Sequence, residues 1–301
     1  MLSGGSYGFG YPRAIAYDGR HLWITNALGN SLTEVNAADG SLVQVLRGGS
    51  YGFSLPQEIA YDGSHLWITN AAGNSVTEVN AADGSLVQVL RGGSYGFSGP
   101  EEIAYDGSHL WITNAGGDSL TEINTADGSW VNTFSGGSYG FDDPDAIVYD
   151  GGHLWITNAF GNSLTEVNAV DGSWVDTFFG GSYGFRIPTW ITYHRGYLWI
   201  TNAAGNSVTE VNAANGSWVS TLSGGSYGIE YPVAITYDDS HLWITNAAGN
   251  SVTEVNAANG SLVQVFSGGS YGFSDPDAIA YDDSHLWITN QTGNSVTAIQ
   301  G

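Results

Sequence analysis

From Pro56 to Arg91 the apolar residues fall into four short runs separated by Gly, Asp, Asn and Ser. The second run, His65-Leu66-Trp67-Ile68-Thr69-Asn70, mixes aliphatic, aromatic and β-branched side chains over six residues, the composition of a β-strand. Residues 58–62, 75–80 and 86–90 read the same way, giving four strands, A to D, over 58–62, 65–70, 75–80 and 86–90. Pro56 heads strand A, where no amide is needed. Between the strands lie Asp62-Gly63-Ser64, Ala71-Ala72-Gly73-Asn74 and Ala82-Asp83-Gly84. Each is turn chemistry: a short polar side chain that accepts from amides two residues on, and a glycine open to positive φ, expected at Gly73 in the four-residue loop. No window carries a helical period.

This 44-residue unit starts near Gly4, Gly48, Gly92, Gly136, Gly180, Gly224 and Gly268, and all seven prolines occupy the same place in it. A fixed period of that length means one supersecondary unit stacked on copies of itself. Four antiparallel strands make one blade, and seven blades make a closed, all-β, seven-bladed propeller, a single domain over residues 1–301. Helical repeats are excluded by about six glycines per unit, each costing a helix roughly 1 kcal/mol. An open β-solenoid would need end caps of different sequence, and none is present. Seven periods of 44 need 308 residues, seven more than the chain has, and the shortfall falls on strand D of the last blade. Met1-Leu2-Ser3 is expected to stand in for that strand beside residues 295–300. Most of the edge is left bare, an invitation to self-association.

Composition narrows the partners. Six arginines and no lysine face 29 carboxylates, for a net charge of −23. That excludes nucleic acid and an anionic membrane, which need a cationic stripe. The carboxylates are spread evenly, as in a self-repelling soluble surface. There is no cysteine for a disulfide or thiolate site, and no apolar run of membrane-spanning length. No signal peptide precedes the first repeat, although an acidic, lysine-free repeat protein suits an extracellular setting.

The motifs Pro-x-x-Ile-Ala-Tyr-Asp-Gly, Leu-Trp-Ile-Thr-Asn, Gly-Asn-Ser-Val and Asp-Gly-Ser-Leu-Val resemble NHL repeats and the related YncE-like and streptogramin-lyase-like propellers, over all seven units. The resemblance implies strands ordered A to D from the axis outward, with the D–A and B–C loops on one face. Sites in these families lie there, at the mouth of the central channel. Their functions range from protein and RNA binding to lyase chemistry, so fold does not fix activity.

Departures between copies concentrate around the proline, at that mouth. Arg13, Gln57, Glu58, Glu101, Glu102, Asp143, Asp145, Arg186, Trp190 and Asp277 are the candidate ligand-binding residues. Glu58, Glu101, Glu102, Asp143 and Asp145, from blades 2 to 4, form an acidic group that could hold a hard divalent cation such as calcium or a polar ligand. Arg186 and Trp190 of blade 5 are expected opposite them, whereas His194, Arg195 and Tyr197 fall on the far face. An unselected, drifting rim would show the same variation. His21, His65, His109, His153, His241 and His285, one per blade, are too far apart to share a metal and read as structural residues of the A–B turn. Glu34, Glu78, Glu122, Glu166, Glu210 and Glu254 should face the strand-B tryptophans and accept their indole N–H groups. No catalytic set emerges.

The chain therefore reads as a non-catalytic scaffold that binds a carbohydrate or protein at the D–A/B–C face. The alternatives are a streptogramin-lyase-like metal-dependent enzyme, for which the resemblance implies a histidine at the mouth that no D–A or B–C loop here supplies, and a recently amplified or engineered symmetric propeller without a ligand.

Overall fold

In the computed structural model, which describes residues 1–300, seven four-stranded antiparallel sheets surround one axis. Blade 1 comprises Pro12–Tyr17, His21–Asn26, Ser31–Asn36 and Leu42–Arg47, in that spatial order. Blade 2 repeats it as Pro56–Tyr61, His65–Asn70, Ser75–Asn80 and Leu86–Arg91. Strands B and C match their expected bounds, while strand A starts two residues earlier, at the proline, and strand D runs one residue further. Strands A of successive blades touch all the way round, including Pro276–Tyr281 against Pro12–Tyr17, so A is the innermost strand and the ring is closed.

Alternation along B and C supplies the glue. Trp23 and Leu32 of blade 1 are fully buried against Ile59, Leu66, Ile68 and Val79 of blade 2, and equivalent clusters recur around the ring. Removing one such indole would cost about 3–5 kcal/mol. The Tyr-Gly-Phe segments reinforce the same interfaces. Tyr51 stacks on Phe53 at 5.3 Å, and its hydroxyl donates to the Gly84 carbonyl at 3.0 Å. These rings are packing elements and do not form open aromatic grooves.

The blades are also stitched by polar groups. In each B–C loop the left-handed residue is Asn74 or its equivalent, with φ near 44° there, and not the expected Gly73. Asparagine tolerates that region, and its side chain is used: Asn74 Oδ1 accepts the Gly99 amide of the next blade at 2.8 Å. Asn294 does the same for Tyr11 at 2.8 Å and so closes the ring. Leu2–Ser3 pairs with strand Ser295–Gln300 through Leu2↔Val296 and Ser3↔Ser295, the short latch expected from the missing residues.

One expected contact is not made. Trp23 does lie opposite Glu34 across the B–C pair, but its indole donates to Asp18 Oδ2 at 2.8 Å. The same aspartate caps the A–B turn, Oδ1 accepting the Arg20 and His21 amides at 2.8 and 2.6 Å, so its second oxygen is held facing the indole. Glu34 turns to Gln44 Nε2 on strand D at 2.7 Å. Five other blades bind the indole to the turn aspartate in the same way. Burial opposes ionisation of Asp62, Asp106, Asp238 and Asp282, but the indole and amide donors outweigh it and hold each below the usual carboxylate range. Burial instead pushes Glu34, Glu78, Glu122, Glu166 and Glu254 upward. Each of the six A–B turn histidines sits beside the turn aspartate of its own blade, as His21 does with Nδ1 3.5 Å from Asp18 and 3.3 Å from Glu34.

Candidate functional site

The site is built by a backbone device at the head of strand A. The residue before each proline is left-handed, with φ of 59° at Tyr11, 53° at Leu55 and 52° at the β-branched Ile187. Such a conformation persists only where its surroundings hold it. Here both backbone groups are fixed: the Leu55 amide donates to Asn30 Oδ1 at 2.8 Å, and its carbonyl accepts from Ala71 at 3.1 Å. The chain then bulges. Pro56 pairs with Asn70 and Ile59 with Ile68, leaving Gln57 and Glu58 opposite the single residue Thr69. A bulge re-aims side chains, and this one turns the two residues after the proline toward the axis. Thr69 secures it, its hydroxyl accepting the Glu58 amide at 3.0 Å and donating to the Glu101 carbonyl of the next blade at 2.6 Å. Because backbone and strand B hold the bulge, the side chains it carries are free to differ.

The result is a cavity of about 310 Å³ at the mouth of the channel. It brings together Arg13, Gln57, Glu58, Glu101, Glu102, Asp145, Trp190 and Asp277 from six blades, as the sequence predicts. Two expected residues stay outside. Asp143 remains half-buried on the rim, beside Asp118 and Asp142, although Tyr11, Tyr231 and Asp275 at the same pre-proline position do line the cavity. Arg186 is exposed two residues before the proline, where the D–A loop lies against the B–C loop through its carbonyl and Ala204. Tyr11, Tyr231, Asp275 and Gln291 complete the wall. Gln291 was missed, although a signal existed: it replaces the alanine that opens every other B–C loop. Its amide donates to Asp277 Oδ2.

Electrostatics at the mouth are those of many acids around one base. Arg13 reaches past blade 2 to Glu101 of blade 3, Nη2 lying 3.9 Å from Oε2. Surrounding carboxylates drive its affinity for the proton further up against the opposing effect of burial. Burial pushes Glu58 up to about 8, against the Ile59 amide and Arg13, which favour the anion. Burial, then the Glu101 charge, raises Asp145 to about 8. Glu102 is held well above the ordinary range by burial and by Glu58, Asp145 and Glu101, and burial also raises Glu101 and Asp277. Near neutral pH several of these groups are therefore carboxylic acids, able to donate as well as accept. Gln57 is buried, and among the described residues its Oε1 has no hydrogen-bond donor.

Among the described residues no three acid or imidazole side chains converge to hold a metal ion. Of the five carboxyls expected to favour calcium, Glu58, Glu101, Glu102 and Asp145 line the cavity together with the Arg13 cation, and Asp143 stays on the rim. No histidine lines this mouth; the turn histidines open strand B, on the opposite face.

No protein-family model and no curated protein sequence matches the chain. Solved structures match over its whole length. A streptogramin B lyase structure is 18% identical with a TM-score of 0.78, covering 99% of this chain and 94% of its own. A catalytically inactive histidine variant of virginiamycin B lyase from Staphylococcus aureus, crystallised with quinupristin, is 19% identical with a TM-score of 0.79, covering 100% and 98%. Hydrazine synthase from Kuenenia stuttgartiensis is 17% identical with a TM-score of 0.80, covering 100% and 97%. At these identities the likeness is one of fold: the chain is a seven-bladed β-propeller similar to that of the streptogramin B lyases.

Proposed function

We propose that this propeller is a non-catalytic binding scaffold whose single asymmetric mouth takes a polyhydroxylated ligand of the carbohydrate class. The observation that carries the reading is the unsatisfied Gln57 Oε1, buried beside neutral carboxylic acids and the Trp190, Tyr11 and Tyr231 rings. A buried acceptor without a donor costs about 1–3 kcal/mol, and a ligand hydroxyl recovers it. Carboxylic acids and carboxamides pair with hydroxyls in both directions, and aromatic faces cover the apolar face of a sugar ring. A cavity of about 310 Å³ suits one or two rings. Seven equivalent sites are not part of this reading, since the loop tyrosines are committed to packing.

The streptogramin lyases supply a second comparison, but the mouth offers no imidazole as general base and no observation favours turnover here. The test is a glycan array followed by calorimetry on the best binder. One site per chain is expected, with affinity reduced at least about tenfold in Glu101→Gln and Trp190→Ala. Binding of undiminished strength in both variants, or no glycan bound at all, rejects the carbohydrate reading; capture of a protein by the same mouth would replace it with the protein version.

A further inference from the structure

The seven copies serve as each other's controls, and one blade breaks a rule the other six obey. Six turn aspartates accept the strand-B indole at 2.7–2.9 Å. Next to each stands a histidine whose ring faces that aspartate and, in five blades, the strand-C glutamate as well. Blade 5 has neither group. His194 occupies the aspartate position and Tyr197 the histidine position. Its turn is tightened to Arg195-Gly196, with φ of 49° and 88°, and His194 pairs directly with Tyr197.

Three consequences meet at one place. First, His194 is buried with its ring 4.3 Å from that of Tyr237 in blade 6, and among the described residues nothing accepts from the Trp199 indole N–H. Second, Glu210, which lies opposite Trp199, keeps a hydroxyl donor in Ser220 at 2.7 Å but has no imidazole beside it. Third, Ser220 is shorter than Gln44 or Gln88 at the same position, whose amides bridge the glutamate to the C–D turn of the next blade. The space those groups fill elsewhere is here a cavity of about 810 Å³ between blades 5 and 6. It lies on the A–B/C–D face, away from the channel mouth. His194, Trp199, Glu210 and Asp239 line it, and the exposed Arg195 and Tyr197 stand at its edge.

We propose that this crevice binds a small zwitterion of the amino-acid class. The cavity lacks a carboxylate where an indole N–H and the Arg195 guanidinium remain, and it lacks a cation where Glu210 and Asp239 remain. One molecule carrying both charges restores both pairings. Its carboxylate takes the indole N–H and faces Arg195; its ammonium or imidazolium faces the two acids. Burial and the neighbouring Arg195 lower the His194 affinity for the proton, with Asp239 opposing, so His194 adds no competing positive charge at neutral pH. The buried His194 Nε2, which lines the same cavity, has no hydrogen-bond partner among the described residues; leaving such a group unpaired costs about 1–3 kcal/mol, which a polar ligand recovers.

The test is NMR of the indole N–H resonances of ¹⁵N-labelled protein, with the Trp199 signal assigned through Trp199→Phe. Free histidine is titrated as the zwitterion, acetate and imidazole as its separated halves. The expected result is a downfield, saturable shift of the Trp199 indole signal with histidine at millimolar concentration and weaker responses to either half. The double variant His194→Asp/Ser220→Gln, which restores an acceptor for the indole and the strand-D amide of blades 1 and 2, should not respond. Glu210→Gln, which keeps the fold of the turn, should weaken histidine about tenfold and leave acetate unchanged. A Trp199 signal that does not move, or that moves equally in both variants, overturns the site. Acetate as effective as histidine overturns the zwitterion class.

Discussion

Glu58 makes the mouth measurable without knowing its ligand. Its carboxyl is raised from 4.5 to about 8, chiefly by burial, so the folded protein holds a proton there that the unfolded chain releases. For a raised carboxyl the stabilisation is fully present below the unfolded value and is lost as pH climbs through the folded one. Each pH unit between the two therefore removes about 1.4 kcal/mol, and the whole window about 5 kcal/mol. Glu58→Gln replaces the protonated acid by a neutral amide of the same shape, whose oxygen can still accept the Ile59 amide that Glu58 accepts at 3.0 Å. Wild type and variant should melt together near pH 4.5. By pH 7 the variant should be more stable by about 3 kcal/mol, or about 6 °C in Tm for a domain of this size. The assay is a series of thermal melts between pH 4.5 and 9 at constant ionic strength. Asp145 and Glu102 titrate in both proteins, and because the Glu58 charge helps to raise Glu102, the difference between the curves reports Glu58 together with its effect on Glu102. Parallel curves would refute the reasoning, because they would mean that Glu58 is ionised in the folded protein.

Three further outcomes follow from the blade interfaces. Asp62→Ala strips the acceptor from the Trp67 indole and from the Ser64 and His65 amides, and should cost about 3 kcal/mol in urea denaturation at pH 7. Since Asp62 is depressed below its ordinary value, that cost should shrink as pH falls below about 3.8 and the wild-type carboxylate protonates. Gly172→Ala would drive a methyl into the Phe134 ring at a φ of 69°, costing about 3 kcal/mol, whereas Gly136→Ala, with open space around it, should cost about 1 kcal/mol in the same melts. Deleting Met1-Leu2-Ser3 uncovers the outer edge of Ser295–Gln300 and empties the Leu2 contact at Gly40; concentration-dependent association in light scattering is expected, and a monomer of unchanged Tm would show that the latch is not needed.

How far the residues could be read depended on the range of the interaction. Strand B of blade 2 was legible to the residue because alternation and turn chemistry are local. The pairing of Trp23 with Glu34 followed from counting through a hairpin, yet the indole bond to Asp18 did not, because side-chain direction and prior commitment of the Asp18 carboxylate to the turn decide it. Likewise the left-handed residue of the B–C loop is Asn74 because its carboxamide is needed by the next blade, a demand invisible within one repeat. Divergence between copies located most of the mouth, but proximity to the proline also swept in Asp143 and Arg186, which stay on the rim and at the exposed D–A loop.

The amino-acid sequence by itself determined the strand pattern, the seven-fold repetition and the ring of variable positions, since each is set by contacts within one 44-residue unit or by comparison between units. The tertiary structure alone decided that Arg13 answers Glu101 two blades away, that burial pushes the Glu58 carboxyl upward, and that three substitutions in blade 5 open one crevice. Those facts depend on distances across a closed ring and on which water is excluded, quantities that arise only when the seventh blade meets the first.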